Sequence, residues 1–365
     1  MRRILIGPIM DGNAGGIDRY ILNLYHRTSS EDIQFDFFTN KISKPLQSEF
    51  ALKNARLFEV PSLTNPFGQY KDFQAIFKQN KYDTAYFNFS TALGFLGPMA
   101  AEKSGVPKIV IHAHATGCDI ANPYKRKLQV FLHKICKSFL YRFGTDFYAC
   151  SSLAGEWMFP NRIVKSERFQ IVKNAIDIEQ FAFNPVLRKQ MRQELRLTDS
   201  FVIGHVGNFV YAKNHMFLLN AFQRLHQKIP NAKLLLVGDG PLYQAVQSSA
   251  AQMHLENDIV FVGRQKSNAY LQAMDVFAFP SNFEGLGIVA IEAQAAGLPC
   301  VCSDRVPKET GATDLCTFLP IDTEDALRLW VDRLTALQGL SRKDVSDALT
   351  SDGYNIRQQK LNHLV

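Results

Sequence analysis

Short apolar runs alternate along the chain with longer segments in which apolar residues recur at helical spacing. This pattern predicts buried parallel strands joined by helices, in repeated strand–helix–strand units. Residues 17–26 are predicted to form the first helix, after a loop that contains Gly12 to Gly16. The strands predicted in the first half are residues 4–6, 35–38, 84–89, 108–112 and 146–150.

The same alternation restarts near residue 200. The strands predicted there are residues 201–206, 233–237, 258–262, 276–279 and 299–302. Helices are predicted over 214–226, 323–339 and 354–364, the first of them from the helical spacing of its apolar residues. We therefore predict an α/β protein with two doubly wound, Rossmann-like domains, residues 1–175 and 176–350, followed by a C-terminal helix in 351–365.

Composition narrows the class of protein. Of 365 residues, 46% are hydrophobic and 21% charged, which excludes a disordered chain, a collagen-like fibre and a disulfide-rich miniprotein. The six cysteines form no Cys-x-x-Cys pair and predict buried free thiols in a reducing compartment. The first apolar run is too short for a signal peptide, and no run of 18 apolar residues exists, so we expect a cytoplasmic protein.

The net positive charge of the chain is concentrated in its first half. Residues 1–185 hold 23 Lys and Arg against 16 Asp and Glu, whereas residues 186–365 hold 18 of each, so the net charge of +7 falls entirely in the first half. Such an excess predicts an anionic partner: a membrane surface, a phosphorylated substrate or a nucleic acid. A nucleic acid is disfavoured because no cluster interleaves aromatic and basic residues.

The segment from Pro280 to Glu292 carries the sharpest chemical signal. Glu284 and Glu292 stand eight positions apart, and Gly285 and Gly287 allow a ligand to approach the backbone just before a predicted helix. A helix N-terminus suits phosphate or sugar oxygens, and carboxylates accept hydrogen bonds from sugar hydroxyls. The plain alternative is a strand–loop–helix turn with two solvent-facing glutamates.

In its sequence context, FPSNFEGLGIVAIEAQAAGLPCVCSD, this segment resembles the donor-binding signature of the retaining glycosyltransferases of family 4. Other segments resemble that family too: the glycine loop at 11–17, KNAID at 173–177, IGHVGNFVYAKN at 203–214 and LVGDGP at 236–241. The resemblance implies a GT-B fold, in which two Rossmann-like domains face each other across a cleft. It also implies that the terminal helix crosses back to the first domain.

The resemblance implies a role for each matching residue. Lys213 would neutralise the leaving diphosphate, Glu292 would accept the ribose hydroxyls, and Glu284 would contact the transferred sugar. Gly238 would lie beside the nucleobase. The rest of the donor site would be the loop and helix start formed by Ser281, Gly285, Leu286, Gly287 and Ile288.

Asn208 departs from the family pattern, which has an arginine at this position. Asparagine donates hydrogen bonds but cannot neutralise charge, so the diphosphate would be held less strongly unless another cation replaces the arginine. Arg264, at the predicted end of a strand, is a candidate for that cation; a surface arginine is the alternative.

Two histidines follow the strand predicted at 108–112. The resemblance assigns a donor-sugar contact near the reacting carbon to His114. His112 is the second choice for this contact and is otherwise placed on the acceptor side. Two histidines without a further ligand at metal spacing do not predict a metal site. Because no Asp-x-Asp occurs in the chain, we expect activity without a metal ion or any other cofactor.

Gly15 and Gly16 do not fit the Gly-x-Gly-x-x-Gly spacing of dinucleotide-binding folds. The resemblance places them in a loop that faces the donor phosphate and the acceptor. Arg19, one turn further on, is a candidate contact for an anionic acceptor; an exposed helix arginine is the alternative.

Residues 122–143 predict a basic amphipathic helix. Leu128, Phe131, Leu132, Ile135 and Phe139 share one face, and Arg126, Lys127, Lys134 and Lys137 flank it. Such a helix can lie on an anionic bilayer, or it can pack its apolar face on the core.

Together these observations predict a retaining, metal-independent hexosyltransferase on the inner face of the plasma membrane. It would move a hexose or N-acetylhexosamine from a nucleotide diphosphate sugar, with UDP expected, to a lipid-linked or other glycan in capsule or exopolysaccharide synthesis. Two alternatives stay open: a GT-B sugar-nucleotide epimerase, and a non-catalytic GT-B subunit that activates a partner transferase.

Overall fold

The computed structural model describes residues 2–10, 15–28, 33–51 and 55–359. Within these residues the chain packs as two units. The N-terminal unit comprises the described residues up to 118 together with 123–174, and the C-terminal unit comprises 119–122 and 175–359. Each unit is built around its own parallel sheet.

The N-terminal unit contains a seven-stranded sheet in the order β3-β2-β1-β4-β5-β6-β7. Its strands are β1 (Arg2–Gly7), β2 (Ile33–Thr39), β3 (Leu57–Glu59), β4 (Thr84–Phe89), β5 (Lys108–Ala113), β6 (Asp146–Ala149) and β7 (Phe169–Ile171). Its helices are α1 (Gly16–Thr28), α2 (Lys44–Ala51), α3 (Pro66–Gln79), α4 (Leu96–Lys103), α5 (Pro123–Leu140), α6 (Ser152–Met158) and α7 (Asn161–Val164). Short 3-10 turns occupy Ala92–Gly94 and Tyr141–Phe143.

Strand alternation explains why helices cover both faces of this sheet. In β1, Ile4 and Ile6 pack with Ile21 of α1 and Phe50 of α2, whereas Leu5 points to the opposite face. There it joins a cluster that includes residues of α3 and α4. Because parallel strands are buried on both faces, they read as continuous apolar runs, and the strand predicted at 84–89 is confirmed with the same bounds.

The C-terminal unit contains a six-stranded parallel sheet in the order β10-β9-β8-β11-β12-β13. Its strands are β8 (Phe201–Val206), β9 (Ala232–Val237), β10 (Ile259–Phe261), β11 (Val276–Phe279), β12 (Cys300–Ser303) and β13 (Cys316–Leu319). Its helices are α8 (Ile178–Phe181), α9 (Pro185–Glu194), α10 (His215–Lys228), α11 (Tyr243–Gln252), α12 (Ser267–Ala273), α13 (Ile288–Ala295), α14 (Ala326–Ala336) and α15 (Ser346–Ser351). Short 3-10 turns occupy Tyr211–Lys213 and Lys308–Thr310.

The core of this unit joins α10 and α14 to one face of the sheet. Trp330 of α14 is fully buried against Phe217 of α10, and its indole N–H donates to the carbonyl of Pro320 at 2.9 Å. The strands predicted at 201–206 and 276–279 are confirmed with identical bounds. The prediction of two doubly wound, Rossmann-like domains is therefore confirmed.

The C-terminal helix predicted over 351–365 is wrong for the part that the structure describes. Helix α15 ends at Ser351, and Gly353 adopts a left-handed φ of +80°, a conformation that stops a helix. Residues 354–359 then turn back along the C-terminal unit, where Asn355 forms a parallel bridge to Ile176 and Arg357 pairs with Asp177 at 3.0 Å. Residues 360–365 lie outside the described part of the chain.

The structure also describes the cysteines and the helices that could be long enough to cross a membrane. The structure describes all six cysteines as free thiols, five of them buried and Cys316 partly exposed. Among the described helices, none is both long enough and apolar enough to span a membrane.

Candidate active site

The order of the C-terminal sheet reverses between β8 and β11. In open parallel sheets, ligands bind beyond the carboxyl ends of the strands at such a reversal. The two segments that leave this point are 207–213, after β8, and 280–287, after β11. They contain Lys213 and Glu284, two residues that the sequence assigns to donor binding.

The structure brings Lys213 and Glu284 together. The Lys213 ammonium lies 2.5 Å from Glu284 Oε1 and 4.8 Å from the centre of the Phe279 ring. Both side chains are largely buried, with 17% and 12% of their surface exposed. Ser281, which is completely buried, donates its hydroxyl to the same carboxylate oxygen at 2.7 Å. The site therefore places the Lys213 cation next to the Glu284 carboxylate, which the Ser281 hydroxyl orients.

Backbone contacts fix this pair in place. The amide N–H of Asn282 donates to the carbonyl of Ala212 at 2.7 Å, and its side chain donates to Tyr211 O at 2.7 Å. The Ser303 hydroxyl donates to the carbonyl of Ser281 at 2.5 Å. These bonds tie the two segments to each other and thereby hold the backbones of Lys213 and Glu284 within reach of one another.

Glu292 lies one turn inside α13 and is 1% exposed. Its carboxylate accepts the Ser267 hydroxyl at 2.8 Å, so Ser267 orients a side chain that the surrounding packing covers. Gly287 precedes the helix with a φ of +81°, and the buried Leu286 accepts a hydrogen bond from Thr310 through its carbonyl. Gly285 and Ile288 are partly exposed at the start of the helix, where backbone N–H groups face outward.

Glycines let three strand ends approach closely at this edge. A Cβ atom on Gly238, where φ is +148°, would lie 1.9 Å from the carbonyl oxygen of Gly207. Asn208 follows Gly207 at the end of β8, and Arg264 follows β10 with an exposed side chain. Since β9 lies between β8 and β10, Asn208 and Arg264 share one edge of the sheet about two strand spacings, or roughly 10 Å, apart.

Two buried histidines lie behind Lys213, and the sequence analysis missed both. The Nδ1–H of His205 donates to the carbonyl of Ala278 at 2.8 Å, and His215 stacks on Phe209 with ring centres 4.0 Å apart. Burial lowers the pKa of His205 to about 4 and that of His215 to about 2, and the nearby Lys213 charge acts in the same direction. Both imidazoles are therefore neutral at pH 7, and Lys213 provides the positive charge of this cluster.

In the N-terminal unit the sheet reverses between β1 and β4. Gly15 and Gly16 are exposed at the start of α1, and a Cβ on either would meet no described atom within 4 Å. Arg19 is exposed in the first turn of that helix. Residues 11–14 of the predicted glycine loop lie outside the described residues.

His114 follows β5 directly and packs against other aromatic rings of this unit. Its ring centre is 3.9 Å from that of His112 and 5.2 Å from that of Tyr20, and its Nε2 lies 2.9 Å from Asn88 Oδ1. The residue as a whole is partly exposed, but its Nδ1 atom is buried, and burial lowers the pKa of His114 to about 3. His112 is completely buried, with Nδ1 3.0 Å from the Tyr86 hydroxyl, and its acceptor-side role stays a prediction.

Helix α5 exposes its apolar face instead of burying it. The exposed fractions are 58% for Leu128, 60% for Phe131, 41% for Leu132 and 47% for Ile135. The opposite side is anchored by His133, which stacks on Trp157 with ring centres 3.9 Å apart and accepts the Ala92 amide N–H at 3.0 Å. Lys127 and Lys134 are exposed beside the apolar face, so the two together form an exposed basic and apolar surface on α5.

Within residues 2–10, 15–28, 33–51 and 55–359, no three His, Cys, Asp or Glu side chains are grouped so that they could hold a metal ion. Sequence reasoning also missed Asn88, Ser267 and Ser303. A signal for Asn88 was present, because it interrupts the apolar run of β4 at its carboxyl end, beside the reversal of the sheet.

Comparisons with known proteins agree with this geometry. Residues 188–310 match the family model described as glycosyl transferases group 1, and residues 14–180 match that of glycosyltransferase family 4. The putative glycosyltransferase EpsF of Bacillus subtilis is 30% identical over 355 residues, which cover 95% of this chain and 91% of EpsF.

Two further proteins resemble the chain. The UDP-Gal:alpha-D-GlcNAc-diphosphoundecaprenol alpha-1,3-galactosyltransferase of Escherichia coli is 28% identical over 302 residues, 79% of this chain and 76% of the enzyme. The structure of Anabaena HepE in complex with UDP superimposes with a TM-score of 0.74 at 17% identity, covering 98% and 96% of the two chains.

The two parallel sheets and the structural likeness define a GT-B fold. The chain belongs to the glycosyltransferases of the group 1 and family 4 type, and it is an enzyme of that class.

Proposed function

We propose that this protein is a retaining hexosyltransferase that moves a hexose or N-acetylhexosamine from a UDP-sugar to a lipid-linked or polysaccharide acceptor. One observation carries the proposal: a Lys213–Glu284 pair at the β8/β11 reversal, in which Glu284 lies in the loop that leads into the helix of the buried Glu292. A leaving diphosphate gains charge as the glycosidic bond breaks, and a preorganised cation stabilises that charge.

The pair also supports a particular mechanism. Glu284 is committed to the Lys213 ammonium and the Ser281 hydroxyl, which suits a carboxylate that binds sugar hydroxyls and gives electrostatic support better than a covalent nucleophile. We therefore favour front-face attack with retention, in which a donor phosphate oxygen helps to deprotonate the acceptor. Lys213 supplies the cation, so we propose that the reaction needs no metal ion or other cofactor.

The nucleotide and the acceptor are inferred from relatives. The Escherichia coli galactosyltransferase uses a UDP-sugar and a diphosphoundecaprenol-linked acceptor, as its name states. A GDP-mannose-dependent mannosyltransferase also matches the chain, so GDP is the alternative nucleotide. We propose Arg264 as the cation that compensates for Asn208, because both residues follow strands at the same edge of the sheet.

The basic and apolar surface of α5 supports a peripheral position on an anionic bilayer. Its exposed apolar side chains can enter the boundary between headgroups and acyl chains, while Lys127 and Lys134 contact lipid phosphates. The N-terminal unit also carries the net positive charge of the chain. An enzyme held at the membrane in this way would meet a lipid-linked acceptor at the bilayer surface, in the synthesis of a cell-surface polysaccharide such as a capsule or exopolysaccharide.

A thermal-shift screen against UDP, GDP, ADP and dTDP, with and without EDTA, tests the donor site. A ligand present at about 100 times its Kd stabilises the folded state by about 2.7 kcal/mol, which gives a clear shift in Tm. We expect a shift with UDP that EDTA leaves unchanged. A shift that disappears with EDTA would contradict metal independence, and a shift with GDP alone would replace the proposed donor.

Two variants make the screen specific. Lys213→Ala should abolish most of the shift, whereas Lys228→Ala removes an exposed lysine of α10 that pairs with Asp332 and should leave the shift intact. If no nucleotide shifts the Tm of the wild-type protein, the alternative of a non-catalytic subunit that activates a partner transferase is favoured. If UDP binds but the sugar nucleotide is converted without any acceptor, the epimerase alternative is favoured.

A further inference from the structure

Asn88 is a buried polar residue that none of the roles above uses. It stands near the carboxyl end of β4, beside the reversal of the N-terminal sheet, and is 1% exposed. In the register of the sheet it lies opposite His112, and the next backbone contact along β5 joins the His114 N–H to the carbonyl of Phe89 at 2.9 Å. An amide buried at such a point needs partners for its donors and its acceptor.

The orientation of the Asn88 amide follows from its partner on β1. The Asn88 NH₂ group donates to the carbonyl oxygen of Gly7 at 3.2 Å, and a carbonyl oxygen can only accept. The amide nitrogen must therefore face Gly7, which leaves Oδ1 on the other side. That oxygen lies 2.9 Å from Nε2 of His114.

The orientation of Asn88 in turn selects the tautomer of His114. Because Oδ1 can only accept, Nε2 of His114 must carry the proton. In a neutral imidazole the other nitrogen, Nδ1, is then unprotonated and accepts hydrogen bonds. Nδ1 of His114 is buried, and among the residues that the structure describes no polar atom pairs with it.

We propose that Asn88 is a positioning residue that holds His114 in its Nε2–H tautomer, so that the buried Nδ1 is an acceptor for a hydroxyl group of a bound sugar. The second half of this inference rests on the proposed function, whereas the first half concerns the free protein alone. The assignment gives His114 a distinct role from Lys213: it accepts a hydrogen bond from a neutral ligand group and adds no positive charge to the diphosphate site.

The surroundings of His114 agree with a neutral ring. Burial lowers its pKa to about 3, and the two rings packed against it belong to His112 and Tyr20. The Tyr20 hydroxyl is itself held by Tyr86 at 2.8 Å, and burial raises the pKa of Tyr86 well above its ordinary value. These surroundings suit a neutral His114 ring that carries one fixed proton.

The tautomer can be measured directly on the full-length protein labelled with ¹⁵N-histidine. Long-range proton–nitrogen correlation spectra distinguish protonated from unprotonated ring nitrogens, and the spectrum of His114→Gln assigns the signal by its disappearance. We expect His114 to show protonated Nε2 and bare Nδ1, unchanged between pH 8 and pH 5. A protonated Nδ1, or a doubly protonated ring within this range, would overturn the proposal.

Two substitutions at Asn88 test whether this residue sets the tautomer of His114. Asn88→Leu removes the acceptor and should convert the signal to a mixture of tautomers, whereas Asn88→Asp keeps an acceptor and adds charge, so it should raise the pH at which His114 protonates. Tyr86→Phe is the matched control, because it removes the hydroxyl beside His112 and should leave the His114 tautomer unchanged. If Asn88→Leu folds with an unchanged His114 signal, Asn88 does not set the tautomer.

The hydroxyl contact is tested by affinity for UDP-glucose, UDP-N-acetylglucosamine and GDP-mannose, each compared with its bare nucleotide. We expect the gain in affinity from the sugar to fall about tenfold in both His114→Leu and Asn88→Leu, while affinity for the bare nucleotide stays constant. A gain that survives in His114→Leu would overturn the contact. Failure of all nucleotides to bind would instead contradict the proposed function and leave the tautomer measurement valid.

Discussion

Replacing Leu128 and Phe131 of α5 with serine tests whether this helix holds the protein on a membrane. Burying a leucine or phenylalanine side chain completely is worth about 1.5 to 3 kcal/mol. The two residues have 58% and 60% of their surface still exposed, so inserting them into a bilayer would contribute about 1.8 to 3.5 kcal/mol in total. At 1.4 kcal/mol for each factor of ten, the double variant should bind vesicles about 20-fold to 300-fold more weakly.

The measurement is sedimentation with vesicles of phosphatidylcholine containing phosphatidylglycerol, at low and at physiological salt. Because both side chains are exposed in the free protein, the substitutions should change the free energy of unfolding by no more than about 0.5 kcal/mol. The matched control is Met216→Ser with Leu340→Ser, two apolar residues of the C-terminal unit with 42% and 56% exposure. Equal binding by wild type and the α5 variant, or equal loss in the control, would refute the reasoning.

Three further predictions concern the C-terminal unit. Lys213→Ala should lower UDP affinity by about 10-fold to 100-fold, since a charge-assisted hydrogen bond is worth about 1.5 to 3 kcal/mol, and calorimetry should show uridine binding unchanged. Gly238→Ala should lower the free energy of unfolding in urea by at least about 2 kcal/mol, because the new Cβ would overlap the Gly207 carbonyl at 1.9 Å. The control Gly105→Ala, at another positive φ with no atom within 4 Å, should lower it by about 1 kcal/mol. Equal losses in the two variants would contradict the clash argument. His215 has a pKa of about 2 in the folded protein and about 6.5 when unfolded, so as pH falls below 6.5 the unfolded state takes up the proton first and stability falls by up to about 1.4 kcal/mol per pH unit. The variant His215→Phe should therefore lose less stability than wild type between pH 7.5 and pH 5.5, and an identical loss would show that this histidine does not contribute.

The sequence predicted the central strands well but missed three of the four edge strands. Strands β4, β8 and β11 are buried on both faces, so each appears as a mainly apolar run with clear ends. The edge strand β10 was also predicted, whereas β3, β7 and β13 have three or four residues, most of them partly or fully exposed, and no apolar run marks them. The terminal helix failed for a local reason, because Gly353 stops α15 before the helix predicted over 354–364 begins.

For the candidate site, the sequence indicates which residues carry charge but not which of them lie in contact. Glu284 and Glu292 were singled out by their spacing across a glycine-containing loop and a helix start, and Lys213 by its match to the family pattern. The contact between Lys213 and Glu284 could not, because 71 residues separate them and only the sheet order brings them together. The exposure of α5 was equally hidden, since an amphipathic helix shows the same periodicity whether its apolar face meets a core or a membrane.

The ion pair between Lys213 and Glu284 has a consequence for the order of events in the proposed reaction cycle. The Glu284 carboxylate is paired with the Lys213 ammonium, so an arriving diphosphate would have to compete with an internal anion. This exchange of partners would make Glu284 available to a sugar hydroxyl. After the nucleotide leaves, Glu284 could pair with Lys213 again, so that neither charge would be isolated in a largely buried site. In the proposed cycle the pair would thus lower the affinity for the nucleotide product and favour turnover.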